Sequence, residues 1–141
     1  MSVTVTESNV VVTLEDPQRV VVAAPGPQGA RYLPPRSVTI LDPTSAEDIT
    51  LMWTPVEMTV ASLVAHVSGS SPSVTYSIRF GGDRAAAGTE VVTGGSTTTS
   101  TTVGDEVTVL DNATIPAESW IWLTTSGSSG TVSQLHVTVI F

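Results

Sequence analysis

Two histidines and three adjacent acidic pairs are the side chains of this sequence best suited to chemistry. His66 and His136 each lie in an apolar run, and neither belongs to a His-x-His or Glu-x-x-His grouping. A zinc site needs three or four ligands at suitable spacing, so none is indicated. Adjacent residues in a strand point to opposite faces and do not converge. The three acidic pairs are Glu15-Asp16, Glu47-Asp48 and Asp105-Glu106.

These residues favour structural roles over catalytic ones. We expect the histidines on a sheet surface or at an interface, and the acidic pairs in solvent. A calcium site in the loop at Asp105-Glu106 or Asp111-Asn112 is the alternative for the carboxylates. The sequence has no G-x-S-x-G element, and Phe80-Gly81-Gly82-Asp83 lacks the lysine of a phosphate loop. We therefore predict no catalytic residue, no cofactor and no bound metal, and a function other than catalysis.

Charge narrows the choice of partners. The chain has a net charge of −8 at pH 7 and contains no lysine and no cysteine. An acidic protein is repelled by phosphate backbones and by anionic lipid head groups. Nucleic acid and membranes are therefore not expected partners. The first residues also lack the basic and then apolar pattern of a secretory signal, so synthesis in a cytoplasm is expected.

The composition favours β-structure throughout. Val and Thr each occur 22 times among 141 residues, and these β-branched side chains suit a pleated surface. The clearest alternation places Val74, Tyr76, Ile78 and Phe80 on one face, as in an antiparallel sheet that covers a core. Short strand signals recur between turn clusters, which predicts an all-β antiparallel β-sandwich of jelly-roll-like type. The predicted strands are Val38–Leu41, Ile49–Trp53, Met58–Val67, Ser73–Phe80, Thr89–Thr93, Thr97–Thr102, Glu106–Leu110, Trp120–Thr125 and Thr131–Phe141.

Three local features of this domain carry further predictions. The apolar phase changes within Met58–Val67, which indicates a β-bulge near Ala61-Ser62. The segment Ser126–Gly130 predicts a hairpin turn. The run Trp120–Leu123 is apolar on both faces, so it is either central to the sandwich or covered by a neighbouring subunit. In the second case Trp120 and Trp122 would be subunit-interface residues.

The first part of the chain differs in charge from the rest. Residues 1–36 carry three arginines and three acidic residues, whereas residues 37–141 carry two arginines and ten acidic residues. We predict an extended N-terminal β-strand arm over 1–24, a Pro/Gly linker over 25–36 and the sandwich over 37–141. An isolated hairpin is marginally stable in water, so the arm is expected to pair with its own domain, a sister subunit or a foreign surface. The candidate anchoring residues are Val3, Val5, Val10, Val12, Leu14, Arg19, Arg31 and Arg36.

The linker contains two Gly-X-Y-like triplets within Pro25–Ala30. Glycine at every third position allows three polyproline-type chains to pack around one axis. Two triplets are too few for an independent collagen helix, so an extended linker and a short three-chain neck both stay open. Pro25, Gly26 and Gly29 would lie at the subunit interface of such a neck.

Two stretches of the chain carry a resemblance. Val74–Phe80 with the following Gly81–Thr89 resembles a β-sandwich module of virion accessory proteins of tailed bacteriophages. So does Asp111–Leu123, continued by His136–Phe141. Such modules occur in head fibres, capsid decoration proteins and tail-fibre parts, often behind a short collagen-like segment. The resemblance covers about residues 37–141 and implies a homotrimer fixed to a virion, with the major capsid protein as its partner.

The leading hypothesis is therefore a structural virion protein that decorates or stabilises a bacteriophage capsid surface through its N-terminal arm. It would be made in the host cytoplasm and located on the capsid. The alternative is a tail-fibre or receptor-binding module that recognises host surface carbohydrate. A glycan-active enzyme would need two converging carboxylates, which the sequence does not indicate.

Overall fold

The computed structural model describes residues 2–6, 9–13 and 33–141. The chain divides into two compact units, Met1–Leu33 and Pro34–Phe141. In the first unit, strands β1 (Ser2–Thr6) and β2 (Asn9–Thr13) form an antiparallel two-stranded sheet. The following residues with predicted roles lie outside the described part of the chain: Leu14, Arg19, Pro25, Gly26, Gly29 and Arg31.

The second unit is built from antiparallel strands, which confirms the all-β class. Short pieces alternate with two strands of 20 and 22 residues. A β-sandwich is compatible with this arrangement. The strands are β3 (Arg36–Leu41), β4 (Asp48–Thr54), β5 (Met58–Thr59), β6 (Ser62–Gly81), β7 (Thr89–Glu90), β8 (Ser96–Thr98), β9 (Asp105–Val107), β10 (Thr114–Ile115) and β11 (Ser119–Ile140).

The two long strands form the centre of a seven-stranded sheet. Strand β6 pairs antiparallel with β11 along nearly its whole length, from Trp120↔Gly81 to Ile140↔Ser62. One half of this ribbon is flanked by β3 and β9, and the other half by β4, β7 and β8. Strands β5 and β10 form a separate two-stranded sheet.

The prediction of a hairpin turn at Ser126–Gly130 was wrong. These residues lie inside β11, and the register with β6 shifts between Thr125 and Gly127 and again between Ser129 and Thr131. Register shifts of this kind, as in β-bulges, bend and twist a strand without ending it. Gly130 has φ of 70°, and a Cβ there would lie 2.0 Å from the Ser71 carbonyl oxygen. Glycine and serine therefore allow a bend here, where the sequence pattern alone predicts a reversal.

The sequence predicts a β-bulge near Ala61-Ser62, and the structure has a break between two strands there instead. Strand β5 ends at Thr59 and β6 begins at Ser62. Between them, the Val60 amide donates to the Ala113 carbonyl at 2.8 Å, and the Ala61 amide donates to the Ile140 carbonyl at 2.7 Å. The chain thus changes partners at this point, and the change of apolar phase follows from it.

The core lies on the inner faces of both halves of the ribbon. The predicted alternation is confirmed, since Val74, Tyr76 and Ile78 are buried while Thr75 and Arg79 are partly exposed. Other buried members of this core are Ile40, Val60, Leu63, Ala65, Val67, Phe80, Val91, Ile115, Ile121, Leu123, Leu135, Val137 and Val139. Strand β11 is flanked by β4 and β6 at Trp120–Leu123, so this run has a central position within the sheet.

Candidate functional site

All three tryptophans of the chain lie on one face of the sheet, the face opposite the core. Trp120 and Trp122 are two residues apart in β11, so their side chains share a face. Trp53 of β4 pairs directly with Trp120, and Thr50 of β4 pairs with Trp122. We call the outer surface that contains Trp53, Trp120 and Trp122 the tryptophan face.

Trp122 is covered by a loop of its own domain. The loop follows β6 at Gly81 and returns at Gly88, whose φ is 68°. A Cβ at Gly88 would lie 2.3 Å from the Trp122 ring, so the loop backbone rests directly on the indole. The Arg84 guanidinium lies 4.7 Å from the ring centroid, in a cation–π contact. Trp122 is consequently only 2% exposed.

Two arginines extend this arrangement, and each is matched by a carboxylate. Arg84 donates to the Asp48 carboxylate and, through Nε, to the Thr50 hydroxyl at 2.9 Å. Arg79 Nη2 donates to Glu90 Oε1 at 2.5 Å, and Arg79 Nη1 to the Ala87 carbonyl at 2.9 Å. The pKa of Glu90 is lowered, chiefly because the Gly94 amide donates to its carboxylate and also because Ser77 and Arg79 lie beside it.

The two arginines, Asp48 and Trp122 line an open cleft of about 520 Å³. Its walls are Asp48, Arg79, Arg84, Ala85, Ala86, Ala87, Trp122, Thr124, Thr125 and Ser126. The only two arginines of residues 37–141 both lie here, in a domain with ten acidic residues. Because each arginine is paired with a carboxylate, the cleft offers donors and acceptors side by side without a large net charge. Such a site suits a small polar ligand that has several hydroxyl or amide groups.

The histidines lie on the outer face of the other half of the ribbon. His66 of β6 pairs directly with His136 of β11. The two ring nitrogens of His136 contact hydroxyl groups, Nδ1 that of Thr39 at 2.7 Å and Nε2 that of Thr138 at 3.2 Å. Among the described residues, no three His, Cys, Asp or Glu side chains lie close enough to hold a metal ion. These positions fit the surface role that the sequence predicts for the two histidines.

The acidic pair Asp105-Glu106 has separate structural surroundings. Asp105 Oδ2 accepts from the Thr98 hydroxyl at 2.7 Å and from the amides of Thr99 and Ser100 at 3.0 and 3.1 Å. The pKa of Asp105 is lowered, mostly by the Thr98 hydroxyl. Its neighbour Glu106 is exposed. Asp105 thus holds the Thr98–Ser100 segment through three hydrogen bonds.

The acidic pair Glu47-Asp48 also splits. The Glu47 carboxylate accepts from the Thr44 amide at 2.8 Å and from its hydroxyl at 2.7 Å, and these two bonds lower the pKa of Glu47. Asp48 instead binds Arg84 in the cleft. The described part of the chain contains no helix long and apolar enough to cross a membrane.

The predicted anchoring residues within β1 and β2 come together. The register pairs Val3 with Val12 and Val5 with Val10. Partners that lie directly opposite share a face, and alternate residues of one strand do too, so these four positions occupy one face of the two-stranded sheet. Arg36 does not belong to the linker, because it is the first residue of β3 and pairs with Val139.

The predicted subunit-interface tryptophans differ from each other. Trp122 is buried under Arg84 and Gly88 of its own domain, so its apolar surface needs no second subunit to cover it. Trp120 is 37% exposed and keeps a free surface in the described domain. The run Trp120–Leu123 is apolar on both faces because a loop of the same domain covers Trp122 on the outer face.

Sequence reasoning missed Trp53, Asp48, Arg79 and Arg84 as members of one site. The alternation of β6 indicates that Arg79 lies on the outer face, and the spacing of Trp120 and Trp122 places both indoles on a shared face. The pairing of β4 with β11 could not be read from the sequence, and it brings Trp53 and Asp48 to this face.

Comparisons with known proteins give this site no precedent. No protein-family model matches the chain, and neither a curated protein nor a solved structure matches it.

Proposed function

We propose that this chain is a structural virion protein that decorates or stabilises a bacteriophage capsid surface, anchored by its N-terminal hairpin. The observation that carries the proposal is the two-stranded sheet of β1 and β2, which forms a unit separate from Pro34–Phe141. The register places the positions of Val3, Val5, Val10 and Val12 on one face of that sheet.

The hydrogen bonding of the hairpin supports this role. Among the described strands, β1 and β2 pair only with each other. A further strand added at the other edge of β1 or β2 would pair with the amide and carbonyl groups there. Two strands alone are marginally stable in water, so a partner that extends the sheet and covers the valines would stabilise the arm. Addition of a strand to an exposed sheet edge is a common mode of protein recognition.

The second unit suits the role of an outward-facing ornament. Its ten acidic residues and three arginines give it a strongly negative surface, which would keep decorated particles apart in solution. The homotrimer stays part of the proposal and now rests on the segment around Pro25, Gly26 and Gly29, because Trp122 is buried within one chain. The major capsid protein is the proposed partner.

The test uses particles of the phage that encodes this chain, prepared without its gene. Purified full-length protein is added and binding is measured by co-sedimentation. We expect Val3→Asp and Val12→Asp to weaken binding to the particles by about tenfold or more, because a charge on the apolar face would be buried without a partner. Removal of residues 1–24 is expected to abolish binding while the sandwich still folds.

Thr4→Asp is the matched control, since Thr4 occupies the opposite face of the same strand. This variant should bind nearly as well as the wild type. The attachment proposal fails if the truncated protein still co-sediments, or if the Val3 and Thr4 variants behave alike. Immunogold labelling of complete particles separates the capsid from the tail as the place of attachment.

A further inference from the structure

We propose that the tryptophan face and the adjoining cleft bind a neutral oligosaccharide. This inference concerns the second unit alone and goes beyond the attachment role of the N-terminal hairpin. It rests on three features of the face, which are the exposed indoles, the matched charges and the dimensions of the cleft.

The indoles of Trp53 and Trp120 form the apolar part of the site. They are 44% and 37% exposed and lie on directly paired positions of β4 and β11. Trp120 pairs on its other side with Gly81, which has no side chain to cover it. Flat, rigid aromatic surfaces of this kind offer a large contact area and a polar N–H at the edge. The C–H faces of sugar rings are the polar ligand surface that fits them.

The cleft beside Trp53 and Trp120 forms the polar part of the site. Trp122, two residues after Trp120 in β11, forms one wall of the cleft. The cleft volume of about 520 Å³ falls in the range of small-ligand sites. The side chain of Asp48 is 55% exposed, so its carboxylate can accept hydroxyl protons while it binds Arg84. Arg84 keeps 27% of its side chain exposed and can donate to the same ligand.

The pairing of charges indicates a neutral saccharide. Arg84 is matched by Asp48 and Arg79 by Glu90, so neither guanidinium is free to balance a ligand carboxylate or phosphate. An anionic glycan would also meet the negative field of a domain with ten acidic residues. A neutral sugar avoids both costs and can bridge adjacent donors and acceptors through its hydroxyl groups.

A second copy of this chain fits the face less well. A stable protein interface buries roughly 800 Å² on each partner. Within residues 33–141, the other large exposed apolar side chains are Leu41, Val103 and Val109. They belong to β3 and to the segments flanking β9, which border the other half of the ribbon. The apolar part of the tryptophan face is therefore limited to two indoles, and the rest is two ion pairs whose burial would be costly.

The experiment applies the full-length protein to an array of neutral oligosaccharides built from hexoses and N-acetylhexosamines, with sialylated and uronic acid glycans alongside. Neutral glycans that are retained are then titrated in solution, with tryptophan fluorescence as the readout. We expect retention of neutral glycans. Trp53→Ala and Trp120→Ala should each weaken binding by about tenfold or more, as truncation of a central aromatic contact does elsewhere.

Val109→Ala is the matched control, because Val109 is 82% exposed and does not line the cleft. It should leave affinity unchanged. Circular dichroism and thermal unfolding establish that each variant is folded. If Trp120→Ala does not fold, the glycan affinities of Trp53→Ala and Asp48→Asn test the proposal instead, because both side chains are exposed.

Three results would overturn the proposal. They are no retention of any neutral glycan, retention of acidic glycans alone, or affinities that the tryptophan variants leave unchanged. A change in sedimentation from oligomer to monomer in Trp53→Ala, without glycan binding by the wild type, would instead assign the face to self-association. Capsid attachment is measured on hairpin variants, so failure of either proposal leaves the other standing.

Discussion

At the scale of single residues, Tyr76 and Asp105 differ in how many hydrogen bonds their polar side-chain atoms make. The Tyr76 hydroxyl is buried without a hydrogen-bond partner in the structure. One oxygen of Asp105 receives three hydrogen bonds. The unsatisfied group lowers the stability of the fold, whereas the saturated one raises it.

Replacement of Tyr76 by Phe is expected to stabilise the protein by about 1 kcal/mol, because it removes a buried hydroxyl that has lost its water and gained no partner. Denaturant unfolding at neutral pH measures the change. A loss of stability in this variant would show that the hydroxyl does have a partner in solution.

The same residue predicts a response to alkali. Burial, helped by the nearby charge of Asp105, raises the pKa of Tyr76 to about 12. Stability that depends on the neutral phenol is present below pH 10 and is lost as the pH rises towards 12. Tyr76→Phe should lack this component. The free energy of unfolding of both proteins is compared between pH 9 and 12. This is roughly the range over which a buried tyrosine of this kind titrates.

Asp105→Ala is expected to destabilise the domain by about 1–2 kcal/mol, because two backbone amides and one hydroxyl lose their acceptor. The pKa of Asp105 is lowered by these bonds, so its contribution is present at neutral pH and lost as the pH falls below about 4. The exposed neighbour Glu106→Ala serves as control and should change stability little. Equal losses in the two variants would contradict the assigned role.

At the scale of elements, the loop from Gly81 to Gly88 decides which tryptophan surface is exposed. Arg84 holds the loop to β4 through Asp48 and Thr50. Gly88 lies on the Trp122 ring in a backbone conformation that other residues adopt only with strain. The loop therefore converts one of three outward tryptophans into a wall of the cleft.

Gly88→Ala should destabilise the domain by about 2–4 kcal/mol, since the new methyl group meets the indole at 2.3 Å and the backbone at 2.9 Å. Gly94→Ala is a matched comparison. Gly94 also has positive φ, at 81°, but a Cβ there would meet nothing within 4 Å. It should lose only about 1 kcal/mol, the cost of the backbone conformation. Thermal unfolding of the two variants distinguishes the cost of the contact with Trp122 from the cost of the positive φ. Similar losses of stability would contradict the packing of the loop on Trp122.

At the scale of the whole molecule, an acidic domain is joined to a hairpin that forms a sheet of its own. The domain satisfies its backbone within a seven-stranded sheet, whereas the described strands of the hairpin have only each other. Local stability should therefore differ strongly between the two units.

Amide hydrogen exchange on the isolated protein tests this difference. Residues 3–5 and 10–12 are expected to exchange far faster than β6 and β11, and to become protected on capsid particles. Protection of the hairpin equal to that of the long strands, in a protein shown by sedimentation to be monomeric, would remove the reason for a partner.

The sequence by itself determined the class of fold, the apolar alternation of β6 and the change of apolar phase before Ser62. These depend on side-chain type and on the two-residue period of a strand, both of which are local properties. The sequence also marked the valines of the two arm strands as candidate anchoring residues, whereas their pairing is known only from the structure.

Only the tertiary structure decided where strands end and which residues meet. Ser126–Gly130 reads as a turn because glycine and serine allow both reversal and bulging, and the choice depends on the partner strand β6. The tryptophan face required the pairing of β4 with β11, between residues far apart in the chain. Strand pairing across long separations is fixed by the packing of the whole sheet, and for this reason the cleft with Arg79, Arg84 and Asp48 could be recognised only in the folded protein.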